Sequence, residues 1–183
     1  SCGLKIPIKK LKLFAKKNKS KLMLDATGSI GLERDHELAD VISFSSCKGL
    51  FGLTGAGFIC FNENNKNFIP SFYLNIKNHI EKKMTGPYQI IYSLEKVLEK
   101  HFDHRYSVII NKKKFLKKMK NYLTLPKENQ PLLCTHVNKI IKPKNKRVIL
   151  YTPRNDIGGS VVCHIGEAHL GKQAKGMILD NIY

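Results

Sequence analysis

Residues 39–61 read "ADVISFSSCKGLFGLTGAGFICF". An apolar run (41–44) leads through two serines and a cysteine to one lysine, Lys48. Glycines follow at positions 49, 52, 55 and 57, and a second apolar run closes the stretch at 58–61. Continuous apolar runs of this length are the mark of central strands covered on both faces by helices. Glycines let backbone approach a neighbour or a ligand closely. The stretch therefore predicts strand, loop, strand, with Lys48 just past the carboxyl end of the first strand. Open α/β sheets hold their ligands at that end. Lys48 is either an ordinary loop cation or an amine held there for chemistry, and its neighbours decide which.

Upstream, "KLMLDA" (21–26) reads as another buried strand, closing on the acid Asp25. On position alone Asp25 is equally a turn residue. Two strand ends of one sheet can, however, place an acid and a lysine about one small aromatic ring apart. Ser45 and Ser46 add hydroxyls beside them. A lysine there could form a Schiff base, and an acid could keep a pyridine nitrogen protonated. Those are the two demands of a pyridoxal phosphate site.

Outward from this core the alternation of helix and strand continues, which predicts an α/β protein. Residues 6–18 form an amphipathic helix, with Pro7 near its start and Leu11, Phe14 and Ala15 inward. Residues 63–67 are a polar loop. Residues 87–100 form a long helix with Ile91, Leu94 and Leu98 on one side. The rhythm restarts after residue 101 with a helix at 112–122. Strand-like "LLCTHV", "RVILYT" and "SVVCHI" follow, and a last helix starts at about 172. The expected division is 1–100 and a smaller α/β unit, 101–183.

Composition narrows the function classes. The 183 residues are 42% hydrophobic, enough for a sizeable core, and no apolar run is long enough to cross a membrane. The opening "SCGLKIPIKKLKLF" lacks Met and interleaves lysines with apolar residues, the pattern of neither a signal peptide nor a natural start. Five cysteines without a CxxC pair suggest a reducing setting and no disulfide framework. A net charge of +18 suggests nucleic acid as one possible partner. Yet only four of the 32 basic residues are Arg (Arg34, Arg105, Arg147 and Arg154), whereas base and phosphate readout favour Arg. The densest run, "NKKKFLKKMKNYL" (111–123), aligns Phe115, Met119 and Tyr122 on one helical face with its lysines on the others, as a solvated helix does. Cys163 and His164 are adjacent in a strand, so they point to opposite faces, which argues against a metal site.

"LMLDATGSIG" followed by "DVISFSSCKGLFGLTGAGFICF" resembles the cofactor region of class V, fold-type I pyridoxal-phosphate aminotransferases. There the pattern is D-A/S-V-x-S-x-G, then S-x-x-K-G/A, a turn and a strand. "SFYLNIK" (71–77) and "TGPYQIIYSLEKVLE" (85–99) are similar to the segment after the lysine in alanine–glyoxylate and 2-aminoethylphosphonate–pyruvate aminotransferases. "HIGEAH" (164–169) resembles the C-terminal R-I-G-x-x-G motif.

The resemblance implies a three-layer α/β/α large domain with a mostly parallel sheet, then a smaller C-terminal α/β domain. It implies pyridoxal 5'-phosphate as cofactor, with Lys48 as the Schiff-base lysine and proton shuttle. Asp25 would pair with the ring nitrogen and Thr27 would pack on one ring face. Ser45, Ser46 and Cys47 would line the site, and Ser1 in "SCG" would contact the cofactor. Thr85 would reach the phosphate in a neighbouring subunit, hence a homodimer. His164 stands where the family's substrate-binding arginine is expected, with Arg154 or Arg147 as replacements; a strand histidine bonded to backbone is the alternative.

Small-molecule amino donors (2-aminoethylphosphonate first, alanine or serine second) and a 2-oxo acid acceptor follow from the same likeness, and the cysteine usage suggests a cytoplasmic setting. A cysteine desulfurase or lyase relative is the alternative chemistry, and a basic nucleic-acid-binding domain the alternative class. The family's chains are about twice as long, and their other half carries the phosphate loop. The stretch thus resembles a C-terminal half, expected to bind cofactor weakly and to self-associate when alone.

Overall fold

A computed structural model describes residues 3–61, 75–81, 86–142 and 158–165. Helix α1 (Ile8–Lys17) starts directly after Pro7 and ends on Lys16 and Lys17, cations that suit the negative end of a helix dipole. Its inward stripe is Ile8, Lys12 and Ala15. The expected inward residues Leu11 and Phe14 are exposed, Phe14 to 67%. The helix is rotated because Lys12 Nζ reaches the Asp40 carboxylate at 2.7 Å, which turns the 8/12/15 face toward the sheet.

Strand β1 (Met23–Asp25) pairs in parallel with β2 (Val41–Ser45), Asp25 opposite Ser43. Strand β3 (Gly57–Phe61) joins β2 antiparallel, Ser45 opposite Gly57. The parallel sheet expected from the sequence therefore holds for β1–β2 and reverses at β3. The 46–56 connection is too short for the crossover that a parallel partner would need. Leu24, Ala26 and Ile8 form the core under this sheet, with Ile30, Leu38, Ile42 and Phe44 packed around them.

Helices α2 (Ile76–Glu81), α3 (Tyr88–Leu98) and α4 (His101–Lys118) follow. Of the expected α3 stripe only Leu94 is buried, while Ile91 and Leu98 are exposed. Helix α4 begins at residue 101 rather than 112. Its first turns contain Val108, Ile109 and Ile110, a β-branched run that masks helical periodicity. Phe115 and Met119 are buried as expected, but Tyr122 is exposed and Lys112 is buried.

Strands β4 (Cys134–Val137) and β5 (Ser160–Cys163) make an antiparallel pair over α4, with Val137, Val162, Phe115, Met119 and Ile141 as its core. A third cluster joins Leu32 and Phe51 to Val108 and Ile165, so residues on both sides of position 100 share one core. The polar loop at 63–67, the strand expected at "RVILYT" and the helix expected from about 172 lie outside the described residues. No helix among the described residues is long and apolar enough to cross a membrane.

Candidate active site around Lys48

Lys48 sits in a loop whose backbone is fixed from three sides. Ser46, fully buried, closes the loop on itself: its N–H donates to the Ala56 carbonyl at 3.0 Å, and its carbonyl accepts from Gly52 N–H at 2.8 Å. Its hydroxyl donates to the Leu53 carbonyl at 2.5 Å and accepts from Ala56 N–H at 3.4 Å. Gly49 lies against the turn that follows β1. Its N–H donates to the Thr27 carbonyl at 3.5 Å, and a Cβ at this position would stand 2.0 Å from the Ile30 carbonyl oxygen. No side chain fits there, and the obstacle is backbone. From α4, His101 Nε2 donates to the Gly49 carbonyl at 3.1 Å. Phe51 holds a left-handed backbone (φ 63°), with its ring 5.5 Å from that of His101 and 5.4 Å from that of His104. Between these restraints the Lys48 side chain itself is exposed.

Asp25 faces the same opening from the end of β1. Its Oδ1 accepts the Thr27 N–H at 3.0 Å, an Asx-type turn. That N–H is the main reason its carboxyl is held below the ordinary range; the Thr27 hydroxyl adds to it, and the Lys48 charge adds the least, against a small opposing effect of burial. Ser45 Oγ lies 3.3 Å from Cys47 Sγ. The Cys47 thiol is lowered first by this hydroxyl, against burial, then by Thr54 and, more weakly, by Lys48. The structure thus brings Asp25, Thr27, Ser45, Cys47 and Lys48 together. Ser46 is a correction to the sequence reading: its hydroxyl is consumed inside the loop and offers nothing to a ligand.

His164 is elsewhere. It is 2% exposed, its Nε2 lies 2.8 Å from Thr135 Oγ1, and its ring lies 5.2 Å from that of Phe115 at a tilt of 57°. Burial first, and the Lys112 charge second, push its pKa down to about 3. A neutral, enclosed imidazole does not present a cation to a substrate, so the anion-clamp expectation is not met at this position. Its backbone N–H bonds to Leu133, as a strand histidine's would. Ser1, Thr85, Arg147 and Arg154 lie outside the described residues.

The structure adds residues that the sequence reading missed. His101 and His104 stand at i and i+3 on α4, a spacing that already puts both on one face. Lys112 donates to the carbonyls of Gln130 (3.0 Å) and Pro131 (2.6 Å), and burial lowers its pKa to about 8. Nothing local distinguishes it from Lys113 and Lys114.

No family model and no curated protein matches the chain. Several solved structures do match in fold. An alanine–glyoxylate aminotransferase from Nostoc sp. superposes with a TM-score of 0.61 at 17% identity, over 80% of this chain and 44% of its own. A phosphoserine aminotransferase from Cytophaga hutchinsonii gives 0.70 at 16% identity, over 98% of this chain and 59% of its own. A ureidoglycine–glyoxylate aminotransferase from Bacillus subtilis gives 0.53 at 18% identity, over 74% and 42%. The chain has the α/β fold of part of these enzymes, and spans about half the length of each.

Proposed function

We propose that this chain is the lysine-bearing half of a pyridoxal-phosphate-dependent aminotransferase of class V, fold type I. The observation that carries the proposal is the pairing of Asp25 and Lys48. Asp25 is the last residue of β1 and Lys48 lies three residues past the end of its parallel neighbour β2, the acid's carboxyl held low and touched by the lysine's charge. The similarity in fold to aminotransferases supports the same reading.

The residues present fit the cofactor in chemical type. An ionised carboxylate suits a protonated ring nitrogen, and an exposed amine on a clamped backbone suits an aldehyde. Pyridoxal phosphate, when bound, supplies an electron sink for the bond-breaking at the substrate's α-carbon. Lys48 would provide the amine that holds the cofactor, and its Nζ would move a proton at the substrate. Asp25 keeps the ring nitrogen's proton in place, its own charge held by Thr27 N–H. Thr27 packs on a ring face, and Ser45 and Cys47 line the approach. The clamp at Gly49 would fix the backbone from which the Lys48 side chain extends.

In this reading residues 1–100 are the C-terminal part of a cofactor-binding domain and 101–183 a small domain. Ser1 contacts the cofactor, and Thr85 reaches the phosphate across a homodimer. With His164 enclosed, Arg154 takes the substrate's anionic group. The donor is a small amine or amino acid, 2-aminoethylphosphonate before alanine or serine, the acceptor a 2-oxo acid, and the compartment the cytoplasm.

Borohydride reduction of the cofactor-loaded protein, followed by peptide mapping, tests the core of the proposal. The expected result is a pyridoxyl mass on Lys48 alone. A pyridoxyl group on another lysine, or on none, overturns it.

A further inference from the structure

Cys134 and Cys163 stand opposite one another in the β4–β5 register. The neighbouring pair is Leu133 and His164, where His164 N–H donates to the Leu133 carbonyl at 2.8 Å. Hydrogen-bonded and non-hydrogen-bonded pairs alternate along an antiparallel ladder. The two cysteines therefore occupy a non-hydrogen-bonded pair. At such pairs the Cα atoms approach to about 4.5 Å and the side chains leave the same face. Disulfides span Cα separations of about 4.4–6.8 Å, so the backbone already stands where a bridge needs it. Both residues are thiols in this structure, Cys163 exposed and Cys134 buried. Lys112 interacts electrostatically with Cys134. Cys47 and Cys60 belong to the other sheet and its loop, with Cys60 opposite Ile42.

We propose that Cys134 and Cys163 are a redox-responsive pair, closed into a cross-strand disulfide by a small disulfide oxidant of the glutathione type. The accessible Cys163, as thiolate, attacks one sulfur of the oxidant; that S–S bond breaks, and one glutathione thiolate leaves. The Cys134 thiolate then attacks the Cys163 sulfur and expels the second. Two protein thiols are oxidised, one glutathione disulfide is reduced, and the two protein protons end on the departing thiolates. A bridge imposed on a strand pair at short Cα distance, with one sulfur exposed, belongs to the reducible class. The switch is therefore reversible, and it does not depend on the cofactor reading.

The test equilibrates the full chain in glutathione buffers of graded ratio, alkylates the remaining thiols, and maps tryptic peptides by mass. In the oxidised buffers, peptide 128–139 is expected to be joined to peptide 155–172 with the loss of two hydrogens in most molecules, and thiol reductant restores both. Cys47 and Cys60 stay alkylated. Cys134→Ser is expected to trap glutathione on Cys163, whereas Cys163→Ser leaves Cys134 unmodified. Cys163 is exposed, so its serine variant keeps the fold; should Cys134→Ser not fold, the wild-type map alone decides. A stable glutathione adduct on wild-type Cys163, a bridge to any other cysteine, or two alkylated thiols in every buffer overturns the proposal.

Discussion

Around Lys48 the backbone is fixed and the side chains are left open; around His164 the side chains themselves are the fixings. In the first region, buried glycine and serine positions hold the loop, while Asp25 and Lys48 stay exposed. In the second, Thr135, His164, Lys112 and Gln130 are buried; Thr135 and His164 bond each other, and Lys112 Nζ and Gln130 Nε2 donate to carbonyls, which leaves only the Gln130 Oε1 oxygen without a partner among the described residues. Buried polar groups must be satisfied, and a group satisfied by the scaffold has little left for a ligand. Both regions looked alike as lists of titratable residues. Spare hydrogen-bonding capacity at a fixed backbone separates the candidate site from the scaffold.

The contrast breaks most completely at Lys48. Lys48→Ala is expected to abolish borohydride-dependent fixation of cofactor, while urea unfolding shifts by no more than about 0.5 kcal/mol, the usual range for an exposed side chain. A large stability loss would mean that the lysine is scaffold after all. Gly49→Ala sharpens the same point from the backbone side. Its new methyl meets the Ile30 carbonyl, and such overpacking costs about 3 kcal/mol; urea melts and cofactor absorbance should fall together.

In the second region, Lys112→Met deprives the Gln130 and Pro131 carbonyls of their donor. A loss of about 2 kcal/mol is expected, against about 0.5 kcal/mol or less for exposed Lys113→Met, measured side by side in urea. Equal losses would erase the distinction between the two lysines.

The smallest effect is a pH dependence. His164 titrates near 3 when folded and near 6.5 when unfolded, so between those values the unfolded chain binds more protons. Its contribution to stability is complete above about pH 6.5 and drains away as pH falls toward 3. By pH 5.5 the loss is about 1.4 kcal/mol. In His164→Asn that part of the acid limb should be missing from urea melts taken at pH 7.5 and 5.5. An unchanged limb would place the protonation elsewhere.

The strands at 23–25, 41–45 and 57–61 were legible because their apolar runs are bounded by turn residues, and Asp25 and Lys48 because they follow those runs. The facing of α1 was not legible: an ion pair between Lys12 and Asp40, 28 residues apart, sets it. Nor was the start of α4, where β-branched residues conceal the helical period. The burial of Lys112 and His164 was equally hidden, since each depends on carbonyls and rings supplied from distant segments. Sequence spacing reports which residues share a face, not which face finds a partner.

The hydrogen bond from His101 to the Gly49 carbonyl spans 52 residues of chain. Contacts of that separation carry a loop-closure cost that local contacts escape, and folding through them is slow. The Lys48 loop is therefore expected to take its final shape when α4 docks, late in the passage from unfolded to native chain. Mutations at His101 and Gly49 should speed unfolding and leave the folding rate nearly untouched, with φ-values close to zero. Stopped-flow chevrons would register this directly, and a φ-value near one at Gly49 would reverse the order of assembly.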